Sequence, residues 1–178
     1  MCAIEIQPVI ETRRLRLRRP RKGDAPRVAE LLGEFDIARM TTSIPHPYGL
    51  ADAEAWLAAA GDADPDQCAE FIIEHPGDGA IGVVSFDGEG PRRTEIGYWL
   101  GRPWWGRGFA TEAARAALVW AHRSWGRRHV HARHFSDNPA SAEVLCKAGF
   151  LYTGEVRLLP SRARGDEPVP SRMMVWLA

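Results

Sequence analysis

Leu15 and Leu17 alternate with Arg14, Arg16 and Arg18, the two-residue period of a strand with one wet face. Asp24 then stands at an N-cap position before Val28, Leu31 and Leu32, which recur at helical spacing. A Pro- and Gly-rich passage, residues 44–49, separates this helix from a second one over about 51–60. Residues 71–75 and 80–86, joined by the turn 76–79, read as a hairpin; 88–91 make another turn and 94–100 another strand. The loop 101–108 runs into a helix over about 109–125, where Ala110, Ala113, Ala114, Ala116, Ala117 and Ala121 allow close packing on a sheet. Val130 and Ala132 mark a strand, within 128–134. Asn138-Pro139 opens a helix that Ala148-Gly149 closes. Residues 150–156 and 173–177 are two final strands, joined by a loop 157–172 that carries Pro160, Gly165, Pro168 and Pro170. The order is mixed α/β (α+β), with no internal repeat and no dividing linker, so residues 1–178 read as a single domain.

Composition narrows the class. The 178 residues are 45% hydrophobic and include seven tryptophans, enough for a real core. The longest apolar runs, 55–60 and 116–121, fall far short of the ~20 residues of a membrane helix. The start shows neither the basic nor the apolar region of a secretory signal. Cys2, Cys68 and Cys146 are an odd set without C-x-x-C, so neither a disulfide framework nor a zinc knuckle is expected. The expectation is a soluble cytoplasmic protein with no metal, no membrane partner and no nucleic-acid partner.

A net charge of zero conceals an asymmetry. Residues 28–91 carry thirteen acids against Arg39 alone, net −12, whereas 92–133 carry nine arginines against Glu95 and Glu112, net +7. Such a map suits a cationic and an anionic ligand meeting on one domain, and equally the solvated outer faces of helices and loops.

Gly106-Arg-Gly-Phe-Ala-Thr111 follows a strand and opens a helix, where outward backbone N–H groups and the helix dipole suit a pyrophosphate. A Walker loop needs Lys-Ser/Thr where Phe109-Ala110 stand. A Rossmann fingerprint needs Gly or Ala where Thr111 stands and an acid on the next strand, which here reads Arg-His-Val-His-Ala-Arg. An acyl-CoA loop fits best.

Four segments together resemble the GNAT N-acetyltransferases, and within them the RimJ/RimL-like branch. They are Glu11-Thr-x-Arg-Leu-x-Leu-Arg18, Glu95-Ile-Gly-Tyr-Trp-Leu100, Trp105-Gly-Arg-Gly-Phe-Ala-Thr-Glu-Ala113, and Asn138-Pro-Ala-Ser141 followed by Leu145-Cys-Lys-Ala-Gly-Phe150. The resemblance implies a splayed, mostly antiparallel sheet of six to seven strands flanked by about four helices. It implies acetyl-CoA as co-substrate, with pantetheine between the strands 94–100 and 128–134. Cofactor contacts carried over are Trp99, Leu100, Trp105, Gly106, Arg107, Gly108, Phe109, Ala110, Thr111, Asn138, Ser141 and Lys147. Trp105 replaces the family's usual Gln or Arg, which leaves the backbone donors in place. The loop 41–48 and the loop 157–172 are implied as opposite walls of an acceptor groove, and a homodimer is in keeping with the branch.

Acetyl transfer needs a neutral amine, a stabilised oxyanion and help for the leaving thiolate. Glu95 matches a strand position that bears the general base in several members; it also reads as an ordinary strand acid or a partner of Arg92 or Arg93. Asn138 reads as a helix cap, a pantetheine contact or both. Leu145 occupies the position of the family's tyrosine acid, which moves that role to Ser141, one turn earlier; Ser141 also reads as a cap or a cofactor contact. His129 and His131 share a strand face with no third ligand at useful spacing, and the lone Cys146 is expected to pack. At least one of Trp99, Trp104 and Trp105 is expected in the core. The expected activity is acetyl transfer by direct attack in a ternary complex onto a primary amine, a protein N-terminal α-amine of ribosomal type. Alternatives are a small amine (polyamine, aminoglycoside or amino acid), a non-catalytic acyl-CoA sensor, favoured if Glu95 is buried and paired, and, disfavoured, a Rossmann-like dinucleotide enzyme.

Overall fold

A computed structural model describes residues 8–88 and 93–178. The strands are β1 (Ile10–Glu11), β2 (Arg16–Arg18), β3 (Ala69–His75), β4 (Gly79–Gly88), β5 (Thr94–Leu100), β6 (His129–Phe135), β7 (Leu151–Ser161) and β8 (Glu167–Leu177). They form one sheet in the order β1-β2-β3-β4-β5-β6-β8-β7, antiparallel throughout except for β5–β6. The helices are α1 (Ala25–Leu32), the single turn α2 (Phe35–Ala38), α3 (Leu50–Asp62), α4 (Phe109–Arg123) and α5 (Pro139–Ala148). The eighth strand, beyond the six or seven expected, is β1, which folds back on β2 as a short hairpin. Residues 89–91 of the expected turn, Arg92 and Cys2 lie outside the described residues.

Period-2 alternation sorts the sheet into two faces. Ala69, Phe71 and Ile73 join Val84, Phe86, Ile96 and Val130 in the larger core under α4 and α5. Ile72 and Val83 face the smaller core under α1 and α3. The alanines of α4 let it lie close: Ala113, Ala114, Ala117 and Ala121 are fully buried. Trp120 packs edge-on against Phe71 and stacks on Trp125. No helix among the described residues is long and apolar enough to cross a membrane.

Two expectations change. The loop 157–172 is mostly hairpin, because β7 and β8 pair as far as Ser161↔Glu167. Its prolines are tolerated since Pro160 faces Pro168 and Leu158 faces Pro170, beyond the last β6–β8 pair, Phe135↔Ser171. There β8 has lost its second neighbour, so a missing N–H costs no ladder bond on that side. Asp24 does not cap α1 with its side chain. Its buried carboxylate accepts from Arg18 Nη2 at 2.7 Å, Arg18 Nη1 at 2.9 Å and the Arg21 amide at 2.7 Å. Arg18 Nε also donates to Glu74 at 2.9 Å, tying β2, β3 and the start of α1 together.

Burial works against the Asp24 charge, but the bonds from Arg18 and the Arg21 amide hold its pKa below the usual range. The native state therefore releases this proton more readily than the unfolded chain, and the pair stabilises fully above about pH 4. That stability is lost as pH falls through the lower native pKa. Asp24→Asn should cost about 2–3 kcal/mol at pH 7 and flatten the acid limb, as read by urea denaturation across pH. Coincident curves for the two proteins would contradict this.

Candidate active site

β5 and β6 pair only at Thr94↔Val130 and Glu95↔His131, then separate. β5 continues to Leu100 with its β6-side edge open, so backbone donors and acceptors there await a partner. The gap opens into a cleft of about 1370 Å³ reached from both faces of the sheet. On the α4/α5 face it is lined by Tyr98, Gly106, Gly108, Asn138 and Ser141; on the other by Glu70, Asp87, Glu95 and Arg133.

The loop before α4 has the conformation that a backbone anion site requires. Gly106 and Gly108 have φ of 69° and 78°, and Gly108 is the N-cap residue of α4. Left-handed backbone at both positions favours glycine and turns the amides before Phe109 outward. Glu112 in the first turn anchors this loop, accepting from Thr12 Oγ1 at 2.7 Å, the Arg14 amide at 2.8 Å and Arg14 Nε at 2.7 Å. Arg14 Nη1 donates to the Arg107 carbonyl at 3.0 Å, and the guanidinium lies 4.5 Å from the Phe109 ring centre. The N-terminal motif and the glycine motif thus hold each other.

The expected cofactor residues divide. Trp99, Leu100, Trp105, Gly106, Gly108, Phe109, Ala110, Thr111, Asn138, Ser141 and Lys147 all line the cleft, whereas Arg107 is exposed outside its lining. Of the three tryptophans at 99, 104 and 105, Trp104 is the one in the core, Trp99 is half-buried, and the exposed Trp105 donates its indole N–H to the Leu100 carbonyl at 2.7 Å. That carbonyl therefore already has one partner. Lys147 is paired with Glu143 at 2.6 Å on the exposed side of α5. Cys146 is exposed and not packed, because it faces away from Leu145, which is fully buried. His134 is buried with Tyr152 Oη at 3.0 Å, and no metal-holding cluster occurs among the described residues.

Asn138 caps α5: its Oδ1 accepts from the Ser141 amide at 3.1 Å. Ser141 Oγ lies 2.8 Å from Tyr98 Oη. Glu95 pairs with Arg133 Nη1 across the strands at 2.8 Å. Burial raises the Glu95 pKa, with Arg133 opposing and Asp87 adding to the rise.

Sequence reasoning missed Glu70 and Tyr98. Glu70 shares its sheet face with Asp87 and Glu95 through the registers Glu70↔Ser85 and Asp87↔Glu95. Its Oε2 is closed off from solvent and makes no hydrogen bond. Burial, with Asp87 adding to it and a hydrogen bond from the Trp56 side chain opposing, pushes the Glu70 pKa up to about 8. The signal was an acid set between Ala69 and Phe71 in an apolar strand. Tyr98 gave none, since its spacing from Ile96 and Leu100 reads as core.

The acetyltransferase (GNAT) domain family matches residues 14–151. The chain belongs to the GNAT acetyltransferase family. A relative, the uncharacterized N-acetyltransferase p20 of Bacillus licheniformis, is 27% identical over 150 residues, 82% of this chain and 84% of its own length. Among solved structures, a RimL ribosomal L7/L12 α-N-protein acetyltransferase in complex with coenzyme A superposes with a TM-score of 0.83. It is 18% identical, covering 96% of this chain and 98% of that one. Spermidine N-acetyltransferase from Vibrio cholerae, in complex with CoA and spermine, gives a TM-score of 0.78. It is 18% identical over 93% of this chain and 96% of that one. Both superpositions extend over nearly the whole chain and show a common fold.

Because Glu70 keeps its proton in the native state well above the usual carboxylate range, folding takes up a proton between about pH 4.5 and 8. Stability then falls as pH rises through that window. Glu70→Gln keeps the shape without the titration. It should raise the denaturation free energy at pH 8 by on the order of 2 kcal/mol and match wild type near pH 4. A variant less stable than wild type at pH 8 would contradict this.

Proposed function

We propose that the protein transfers the acetyl group of acetyl-CoA to a primary amine by direct attack in a ternary complex, the acceptor being a protein N-terminal α-amine of ribosomal-protein type. One observation carries this reading: a single cleft has a glycine loop and two helix N-termini on one sheet face, carboxylates on the other, and a strand gap between them. The donors in place fit the co-substrate. Backbone amides of residues 106–111 would take the pyrophosphate, and the open edge of β5 at Trp99–Leu100 would run beside pantetheine. Asn138 and Ser141 would meet the arm near its sulfur end. Acetyl-CoA supplies the activated acyl group.

Glu95 is the proposed base, its raised pKa suiting a group that must take a proton from an attacking amine. In the acid's place, Ser141 would offer its hydroxyl as a hydrogen bond to the departing sulfur, which leaves as the thiolate. The acceptor would enter over Glu70, Asp87 and Glu95, walled by Thr41, Thr42 and Ile44 and by the β7–β8 hairpin. The hairpin tip reaches that wall, since the Arg162 amide donates to the Thr42 carbonyl at 3.1 Å. An α-amine with a pKa near 8 is partly neutral at pH 7, whereas a lysine amine near 10.4 asks far more of a single carboxylate. The carboxylate row and the superposition on a spermidine acetyltransferase support the second reading, a small polyamine acceptor. The Glu95–Arg133 pair favours a non-catalytic acyl-CoA sensor; the family to which the chain belongs weighs against it.

Gly108→Asp should weaken acetyl-CoA binding at least ~10-fold by calorimetry, since it sets a carboxylate where phosphate oxygens would meet amides. Gly108→Asn, equally strained at φ of 78° but uncharged, should lose less. Equal affinity for wild type and both variants would remove the loop from the site.

For the acceptor, a short peptide with a free N-terminus should outrun its N-acetylated, lysine-bearing counterpart in CoA release. kcat/KM should rise with pH as the amine and Glu95 deprotonate, and fall with added salt. Faster turnover of the blocked lysine peptide would overturn the α-amine assignment; turnover of spermidine alone would select the second reading.

A further inference from the structure

Tyr98 Oη meets two atoms of Ser141, its Oγ at 2.8 Å and its main-chain carbonyl oxygen at 3.2 Å. Each hydroxyl carries one proton and the carbonyl only accepts. When Tyr98 donates to the carbonyl, Ser141 must spend its own proton on the phenol oxygen. When Tyr98 donates to Oγ instead, the serine proton is free to point into the cleft. Two hydroxyl rotations separate these states, with no movement of ring or backbone.

The surroundings fix everything except those two protons. Asn138 Oδ1 holds the Ser141 amide at 3.1 Å, so the serine is gripped at its amide, carbonyl and hydroxyl. Tyr98 lies three residues past the last β5–β6 pair, and its ring spans the gap from β5 to the first turn of α5. Leu145, one turn further along α5, is fully buried and brings no hydroxyl.

We propose that Tyr98 is a positioning residue that, by donating to Ser141 Oγ, turns the serine hydroxyl proton toward the leaving sulfur of acetyl transfer and strengthens it as a donor. This rests on the reading of Ser141 given above. As the amine lone pair makes the C–N bond, the C–S pair passes to sulfur and the amine proton passes to Glu95. The sulfur's negative charge receives a hydrogen bond from Ser141 Oγ–H, while Oγ accepts from Tyr98. Serine and tyrosine both keep their protons, and solvent later protonates the thiolate. Burial raises the Tyr98 pKa above the ordinary phenol range, which keeps it a donor at working pH.

The test needs no acceptor. CoA itself is the probe, and the readout is the thiol pKa of bound CoA, titrated by thiolate ultraviolet absorbance. It is measured on the full chain in wild type, Tyr98→Phe, Ser141→Ala and the double variant, with CoA affinity at neutral pH alongside. Wild type should lower the bound thiol pKa relative to free CoA. Each single variant should return it by about half a unit to one unit, and the double variant should equal Ser141→Ala, since Tyr98 acts only through the serine. CoA affinity at pH 7, where the thiol is neutral, should stay within about twofold in Tyr98→Phe. A thiol pKa unmoved by Tyr98→Phe, additive shifts in the double variant, or a large loss of neutral-pH affinity would each overturn the role of Tyr98. A thiol pKa unmoved by Ser141→Ala would overturn the serine reading as well.

Discussion

The early parting of two parallel strands governs this structure. β5 and β6 share only two residue pairs, yet each is locked on its far side, β5 to β4 and β6 to β8. A gap in the middle of a sheet leaves backbone hydrogen-bonding groups without a ladder, which is costly unless side chains, water or a ligand take them. Here the indole of Trp105 takes the Leu100 carbonyl, and Tyr98 spans to α5. The rest of the opened edge is where the proposed pantetheine arm would add hydrogen bonds.

Holding such a gap open requires firm anchorage at its ends. Arg14 and Thr12 reach Glu112, so the N-terminal hairpin fixes the first turn of α4 and with it the glycine loop. At the other end, Arg164 on the β7–β8 hairpin donates to Asp137 at 2.8 Å and to the Arg39 carbonyl at 2.8 Å. The exposed ion pairs among these contribute little individually. Their value is in position: each spans segments distant in sequence at the rim of the cleft.

The charge asymmetry resolves into two populations. Glu30, Asp36 and Glu74 pair with nearby arginines, and Arg127 is buried beneath Trp125, so much of the imbalance is ordinary framework. Glu70, Asp87 and Glu95 are different, because they lie on one sheet face in the cleft, and burial raises the pKa of the first and third. Of these, Glu70 keeps its proton near neutral pH.

The sequence by itself determined the succession of elements, the glycine loop, the Asn138 cap and the family, because these depend on contacts within a few residues: alternation, helix spacing, turn glycines. It also placed Ser141 and Glu95 as candidates, through motifs read locally. Only the tertiary structure decided their partners. Arg133 for Glu95, Tyr98 for Ser141 and Arg18 for Asp24 are separated by 38, 43 and 6 positions, and all are meetings across strands or from strand to helix. The extension of the last hairpin through Pro168 and Pro170 likewise followed from β8 losing a neighbour, which no local pattern records. Nor could local pattern raise the Glu70 pKa, since that shift arises from burial and from Asp87 on the neighbouring strand. A residue's spacing tells which face it occupies; what faces it, and how much water remains there, is set by how the strands and helices pack.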